Sequence, residues 1–146
     1  MRGASGRSSV MALIVVVDDD ISVRRILREA LVRSGHTVLE AADGDACAII
    51  LKTVRPNLVI TDIFMPEKDG IEIICEIHER WPAIKIIAMS SGGSRPEAMD
   101  YLTMAEGLGA DRILRKPFSL KQVLNVVDEV LATEKQMGQT ASVRNA

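Results

Sequence analysis

Short apolar runs alternate along the chain with longer segments in which apolar residues recur every three or four positions. Most of the short runs are almost entirely apolar, which predicts strands buried on both faces, as in a parallel sheet covered by helices. The predicted strands are Ala12–Val17, His36–Glu40, Leu58–Thr61, Ile84–Met89 and Arg112–Arg115.

Five helices are predicted between and after these strands. Together the elements indicate an α/β fold, and right-handed crossovers make it a doubly wound sheet. The predicted helices are Ile21–Ser34, Asp43–Val54, a segment from Asp69 and Gly70 to just before Trp81, Pro96–Gly107, and a last one from Leu120 to Leu131.

The apolar spacing also predicts which helix residues face the sheet. The predicted buried faces are Val23, Ile26, Leu27, Ala30 and Leu31 in the first helix; Ala46, Ile49, Ile50 and Val54 in the second; and Leu120, Val123, Leu124, Val127 and Leu131 in the last.

The two ends of the chain lack this periodicity. Residues 1–10 are small, polar and basic, and we interpret them as a leader or an engineered tail. One domain is predicted over residues 11–132, and residues 133–146 are predicted to be a disordered tail. A complete chain would be a single-domain protein, whereas a fragment would have lost a further domain.

Composition excludes several classes of protein. The 146 residues are 47% hydrophobic and 26% charged, with a net charge of −2, which is typical of one globular domain and favours no nucleic-acid binding. No apolar run approaches the roughly 18 residues that span a bilayer. Cys47 and Cys75 lie in helical patterns and are expected to be reduced, which fits a cytoplasmic protein.

Polar groups stand at the carboxyl ends of four of the five predicted strands. In a parallel sheet these ends meet at one edge, where ligands bind. Each residue alone has an ordinary explanation, such as a helix cap at Asp20, but their joint occurrence predicts a site. The residues are Asp18, Asp19, Asp20, Asp62, Ser90 and Lys116.

Clustered carboxylates require a cation, and hard oxygen ligands in small number suit Mg²⁺. One carboxylate can then act as a nucleophile towards phosphorus and form an aspartyl phosphate. Lys116 and Ser90 are suited to neutralise or donate to the transferred phosphoryl oxygens.

Four sequence blocks carry a family resemblance: VVDDDISVRRIL, LVITDIFMPEKDG, IIAMSSGG and GADRILRKPF. In this order they resemble the receiver domain of two-component response regulators, of the single-domain chemotaxis-regulator type, over about residues 13–131. The resemblance implies a flavodoxin-like five-stranded parallel sheet of order 2-1-3-4-5.

The resemblance also implies a role for each site residue. Asp62 would accept a phosphoryl group from a histidine kinase or a histidine phosphotransfer protein. Asp19 would bind Mg²⁺ directly and Asp18 through water, and the backbone carbonyl of Phe64 would complete the protein ligands. Lys116 would contact the phosphoryl group.

Ser90 would be the switch hydroxyl, and Pro117 would follow a cis bond. Phosphorylation would then alter partner binding at the face formed by helix four, strand five and helix five. The family often has an aromatic residue where this chain has Ile113, so its coupled rotation is not carried over. Receivers catalyse only their own phosphorylation and dephosphorylation, which leaves the label of enzyme open.

Two other hypotheses remain at this stage. One is a pseudo-receiver, an interaction module that takes no phosphate. The other is a phosphohydrolase of the haloacid-dehalogenase type, because Asp18 and Asp20 have the D-x-D spacing of that family. In the second case Asp18, not Asp62, would be the nucleophile.

Overall fold

The computed structural model describes residues 11–63, 70–90 and 103–133. Strands and helices alternate through these residues. The strands are Leu13–Val17 (β1), Thr37–Ala41 (β2), Leu58–Asp62 (β3), Lys85–Ser90 (β4) and Arg112–Arg115 (β5). The helices are Ile21–Arg33 (α1), Gly44–Thr53 (α2), Gly70–Arg80 (α3), a described part of α4 over 103–108, and Leu120–Ala132 (α5).

All five strands are parallel, in the order β2-β1-β3-β4-β5. The predicted doubly wound sheet of order 2-1-3-4-5 is therefore confirmed. The register pairs Val17 with Ala41 and Asp62 with Met89, so the strands end at nearly the same level. Their carboxyl ends consequently form one continuous edge.

The sheet separates two apolar layers because successive strand residues point to opposite faces. In β1, Val15 and Val17 pack with the buried residues of α2 and α3. Ile14 and Val16 pack with those of α1 and α5 on the other face. This burial on both faces is what the continuous apolar runs predict.

The predicted buried faces of three helices, α1, α2 and α5, are partly wrong. In α2, Ile49 is 63% exposed, while Cys47 and Leu51 are buried. Ile49, Ile50 and Leu51 are consecutive apolar residues, so periodicity alone does not decide which of them turns inward. The start of α2 after its cap, Asp43, sets that rotation. In α1, Ile26 is likewise about half exposed, and in α5, Leu120 is 43% exposed.

Some predictions lie outside the described residues: the leader at 1–10, the start of α3 at Asp69, the first part of α4 at 96–102, and residues 134–146. Neither Cys47 nor Cys75 forms a disulfide, in agreement with the prediction that both are reduced. No helix in the described ranges is long and apolar enough to cross a membrane.

His36 is a buried titratable group near the amino end of the sheet. His36 is 6% exposed, and its Nδ1 accepts a hydrogen bond from the Ala12 N–H at 3.1 Å. Burial lowers the pKa of His36 below its usual 6.5, although the charge of Asp128 acts in the opposite direction. The folded protein therefore favours the neutral imidazole.

A histidine with a lowered folded pKa contributes stability above its unfolded pKa, and that stability is lost as the pH falls through 6.5. We expect the melting temperature to drop between about pH 7 and about pH 5, and to drop less in His36→Gln, whose amide oxygen can accept from Ala12. The control is His78→Gln, which changes the exposed histidine of α3. Equal pH profiles for both variants would contradict this role of His36.

Trp81, the single tryptophan, lies between α3 and β4. The guanidinium carbons of Arg55 and Arg80 lie 4.4 and 5.6 Å from the centre of its ring. The Trp81 carbonyl accepts a hydrogen bond from Ile84 N–H, just before β4 begins. This cluster therefore marks the amino edge of the sheet, opposite the strand ends that carry the acidic residues.

Candidate functional site

The three consecutive aspartates divide between two structural roles. Asp18 is fully buried, its N–H donates to the carbonyl of Ala41, and its Oδ1 accepts from the N–H of Asp20 at 2.9 Å. Asp20 is the N-cap of α1, because its carboxylate accepts from the N–H of Ser22. The predicted helix cap is confirmed, and Asp18 faces inward at the end of β1.

Asp62 ends β3 and is 2% exposed. Two neighbours hold its backbone. The Thr61 hydroxyl donates to the Asp62 carbonyl at 3.0 Å, and α3 begins against the same carbonyl at Gly70. A Cβ on Gly70 would lie 2.3 Å from that oxygen, so only glycine permits this approach.

Lys116 joins the two buried carboxylates. Its Nζ donates to Asp18 Oδ2 at 2.7 Å and to Asp62 Oδ2 at 2.9 Å, and its side chain is 16% exposed. Burial alone would lower the pKa of Lys116, but the hydrogen bonds and charges of Asp18 and Asp62 outweigh burial and raise it. The bond from Lys116 to Pro117 is cis, as the resemblance implies.

The site holds more negative than positive charge. Asp18, Asp19 and Asp62 each present a carboxylate oxygen, and these oxygens lie within 4.8 Å of one another. Lys116 supplies one positive charge to balance these three carboxylates. Carboxylate oxygens at this spacing are the donor set of a hard divalent cation, so the residues present fit such an ion.

Ser90 is the last residue of β4 and is 1% exposed. It follows Met89, the residue paired with Asp62, and its carbonyl accepts the N–H of Lys116 at 2.9 Å. The backbone therefore places Ser90 beside the strand end that carries Asp62. Phe64, the remaining predicted metal ligand, lies outside the described residues.

Ile113 stands where the resemblance leads one to expect an aromatic residue. It is half-buried in β5 and packs against the apolar layer formed with α2 and α3. An aliphatic side chain packed there serves the core. Nothing in its chemistry lets it act as a polar or aromatic partner of Ser90.

Two residues near the site were not predicted from the sequence. Arg24 donates from Nη1 to the backbone carbonyl of Asp18 at 2.8 Å, and its Nε pairs with Glu40 at 3.1 Å. Sequence patterns carry no signal for a bond to a backbone carbonyl. Glu40 is the next-to-last residue of β2. This is the one strand for which the sequence predicts no site residue at the carboxyl end.

An apolar groove opens beside Lys116, between α1 and the segment that leads into α5. Its volume is about 410 Å³. Ile26 and Leu120, each nearly half exposed, contribute to it. Its lining is Val23, Ile26, Leu27, Lys116, Pro117, Phe118 and Leu120.

Comparison with known proteins gives concordant matches. Residues 14–128 match the family model described as the response regulator receiver domain. A probable transcriptional regulator, ycf27, of Cyanophora paradoxa is 41% identical over 110 residues, which cover 75% of this chain and 44% of that protein. The chain spans about half or less of the length of several curated relatives that it matches.

Solved structures agree with this match. The receiver domain of NtrX from Brucella abortus has a TM-score of 0.76 at 27% identity, and the match covers 83% of this chain and 99% of that one. The chemotaxis response regulator CheY4 of Vibrio cholerae has a TM-score of 0.74 at 27% identity, with the same two coverages.

Proposed function

The chain belongs to the response regulator receiver family of two-component systems, and on that basis we propose that it accepts a phosphoryl group on Asp62 from a phosphohistidine. The donor would be a histidine kinase or a histidine phosphotransfer protein. The observation that carries this proposal is the buried contact of Lys116 with both Asp18 and Asp62. This contact places the carboxylate of Asp62, the proposed nucleophile, beside the ammonium group of Lys116, at the edge of the sheet where ligands bind in this fold.

In the proposed reaction, an Asp62 carboxylate oxygen attacks phosphorus. A P–O bond forms as the P–N bond to the donor imidazole breaks, and the imidazole leaves with the electron pair. Lys116, already 2.9 Å from Asp62 Oδ2, is placed to donate to the transferred group. The buried position of Asp62 restricts solvent around the product.

We assign the cation to Mg²⁺, held by Asp18, Asp19 and Asp62, with the Phe64 carbonyl as the further ligand that the family pattern implies. When bound, the ion supplies positive charge for the phosphoryl oxygens. The chain's own contribution is the fixed arrangement of these carboxylates. The spacing of their oxygens within 4.8 Å supports this assignment.

The groove beside Lys116 is the surface we assign to the phosphohistidine donor. The donor must bring its imidazole to Asp62, and this apolar groove extends to Lys116, which donates a hydrogen bond to Asp62. Ile26 and Leu120 are exposed along it and offer area for packing against a helical partner. Docking there would align the two reacting groups.

For the output, we propose that Ser90 and Lys116 turn towards the phosphoryl group and shift the face of α4, β5 and α5 between two populations. The added charge of the phosphoryl group provides the driving force. The Lys116 N–H bond to the Ser90 carbonyl connects the ends of β4 and β5 and supports this coupling. Ile113 would take part in this shift only through its packing contacts.

The proposal is tested by finding which aspartate carries the phosphoryl group. The protein is incubated with acetyl phosphate and Mg²⁺, trapped with borohydride and mapped by mass spectrometry. We expect the label on Asp62 and no label when Mg²⁺ is omitted. Label on Asp18 would favour the phosphohydrolase hypothesis, and absence of any label, together with no binding of beryllofluoride, would favour the pseudo-receiver.

A further inference from the structure

Three side chains form a row of ion pairs beside the acidic residues. Arg24 Nε lies 3.1 Å from Glu40 Oε1, and Arg28 Nε lies 3.5 Å from Glu40 Oε2. The side chain of Arg24 is only 14% exposed, whereas that of Arg28 is 51% exposed. The inner pair is therefore the less screened by solvent, and it orients the Arg24 guanidinium.

The other side of that guanidinium reaches the site. Arg24 Nη1 donates to the Asp18 carbonyl oxygen at 2.8 Å. This oxygen belongs to the peptide group that joins Asp18 to Asp19, the two members of the acidic pair. Because a peptide group is planar, holding its oxygen fixes the plane and limits the direction in which Asp19 leaves it.

Within the described residues, the contact from Arg24 is the one that holds the plane of the Asp18–Asp19 peptide group. The Asp18 N–H is held by the Ala41 carbonyl at 3.1 Å, and the Asp18 carboxylate accepts from the Asp20 N–H at 2.9 Å. These bonds fix the peptide before Asp18 and the one after Asp19. Arg24 holds the peptide between them.

We infer that Arg24, oriented by Glu40, is a positioning residue that sets the geometry of the Asp18–Asp19 pair for cation binding. The inference rests on the proposed function, since it assigns a purpose to the acidic pair. A planar guanidinium bonds to the carbonyl and to Glu40 at once, and the ammonium of a lysine has no such fixed fork. Arg24 acts through the backbone and contacts neither the cation nor the phosphoryl group.

The test compares Arg24→Gln with Arg25→Gln, which removes the same charge from an exposed neighbour on α1. The Kd for Mg²⁺ is measured by calorimetry. Loss of a positive charge near carboxylates would by itself tighten cation binding, whereas loss of positioning weakens it. We expect about tenfold weaker binding in Arg24→Gln, as for other residues that orient metal ligands, and none of this weakening in Arg25→Gln.

A second measurement needs no metal. Amide hydrogen exchange is followed by NMR at Asp20, whose N–H donates to the Asp18 carboxylate. This bond spans the Asp18–Asp19 peptide, so it opens more often when that peptide is free to rotate. We expect faster exchange at Asp20 in Arg24→Gln and unchanged exchange in Arg25→Gln. Arg24→Lys, which keeps the charge and is the milder change for folding, should fall between wild type and Arg24→Gln in both measurements.

Unchanged exchange at Asp20 in Arg24→Gln would overturn the inference, whatever the affinity for Mg²⁺. Faster exchange with unchanged or tighter Mg²⁺ binding would overturn it as well, because the peptide would not govern cation binding. If wild-type protein binds no Mg²⁺, the proposed function fails instead. The exchange data then decide by themselves whether Arg24 holds the Asp18–Asp19 peptide.

Discussion

Replacing Lys116 with methionine is expected to destabilise the metal-free protein by about 3–5 kcal/mol, the usual cost of removing one partner from a buried ion pair. Methionine fills similar space but leaves the carboxylates of Asp18 and Asp62 without the cation that both contact. Both aspartates are almost inaccessible to solvent, so water compensates only poorly for the lost partner. Urea unfolding at neutral pH measures the loss.

The matched control is Lys121→Met, which removes an exposed lysine from α5. Its free energy of unfolding should stay close to that of wild type. Saturating Mg²⁺ should raise the melting temperature of Lys116→Met more than that of wild type, because a bound cation takes over part of the role of the lysine. If Lys116→Met and Lys121→Met were equally stable, the carboxylates would need no cation.

Replacing Gly70 with alanine is expected to cost about 1–3 kcal/mol and to disturb Asp62. The new Cβ would lie 2.3 Å from the Asp62 carbonyl oxygen and 2.6 Å from the Ile63 Cα. Both neighbours are backbone atoms, so neither moves without displacing the end of β3. We therefore expect slower labelling of Asp62 by acetyl phosphate together with a lower urea midpoint.

Gly107→Ala is the control for this substitution. Gly107 lies in the described part of α4, and a Cβ there would meet nothing within 4 Å. Alanine favours a helix over glycine by up to about 1 kcal/mol, so this variant should match or exceed wild type in stability. A Gly70→Ala protein that behaved like Gly107→Ala would show that the close approach of α3 to Asp62 is dispensable.

The sequence was sufficient to predict the order of elements and the convergence of the site. Continuous apolar runs allow few arrangements other than a covered parallel sheet, and such a sheet brings its strand ends together. Asp18, Asp62 and Lys116 therefore meet as expected, although they lie far apart along the chain. Asp20 also caps α1 as predicted.

What the sequence could not predict depends on rotation and on the backbone. Three consecutive apolar residues leave the inward face of α2 undecided, so periodicity predicts a buried Ile49 and does not identify Cys47 as buried. The contact of Arg24 with a carbonyl oxygen has no side-chain partner to suggest it. The sequence predicts that a helix begins near Gly70. That this position excludes a Cβ follows only from the position of β3 in the structure.

The position of Trp81 determines what intrinsic fluorescence can measure in this protein. The only indole lies at the amino edge of the sheet, beside Arg55 and Arg80. The strand between it and Ser90 has six residues, which at ~3.3 Å each span about 20 Å. The intrinsic fluorescence of Trp81 is therefore expected to follow unfolding but not the binding of a cation or phosphoryl group at the aspartates. Binding at the aspartates has to be followed with a separate fluorescent label.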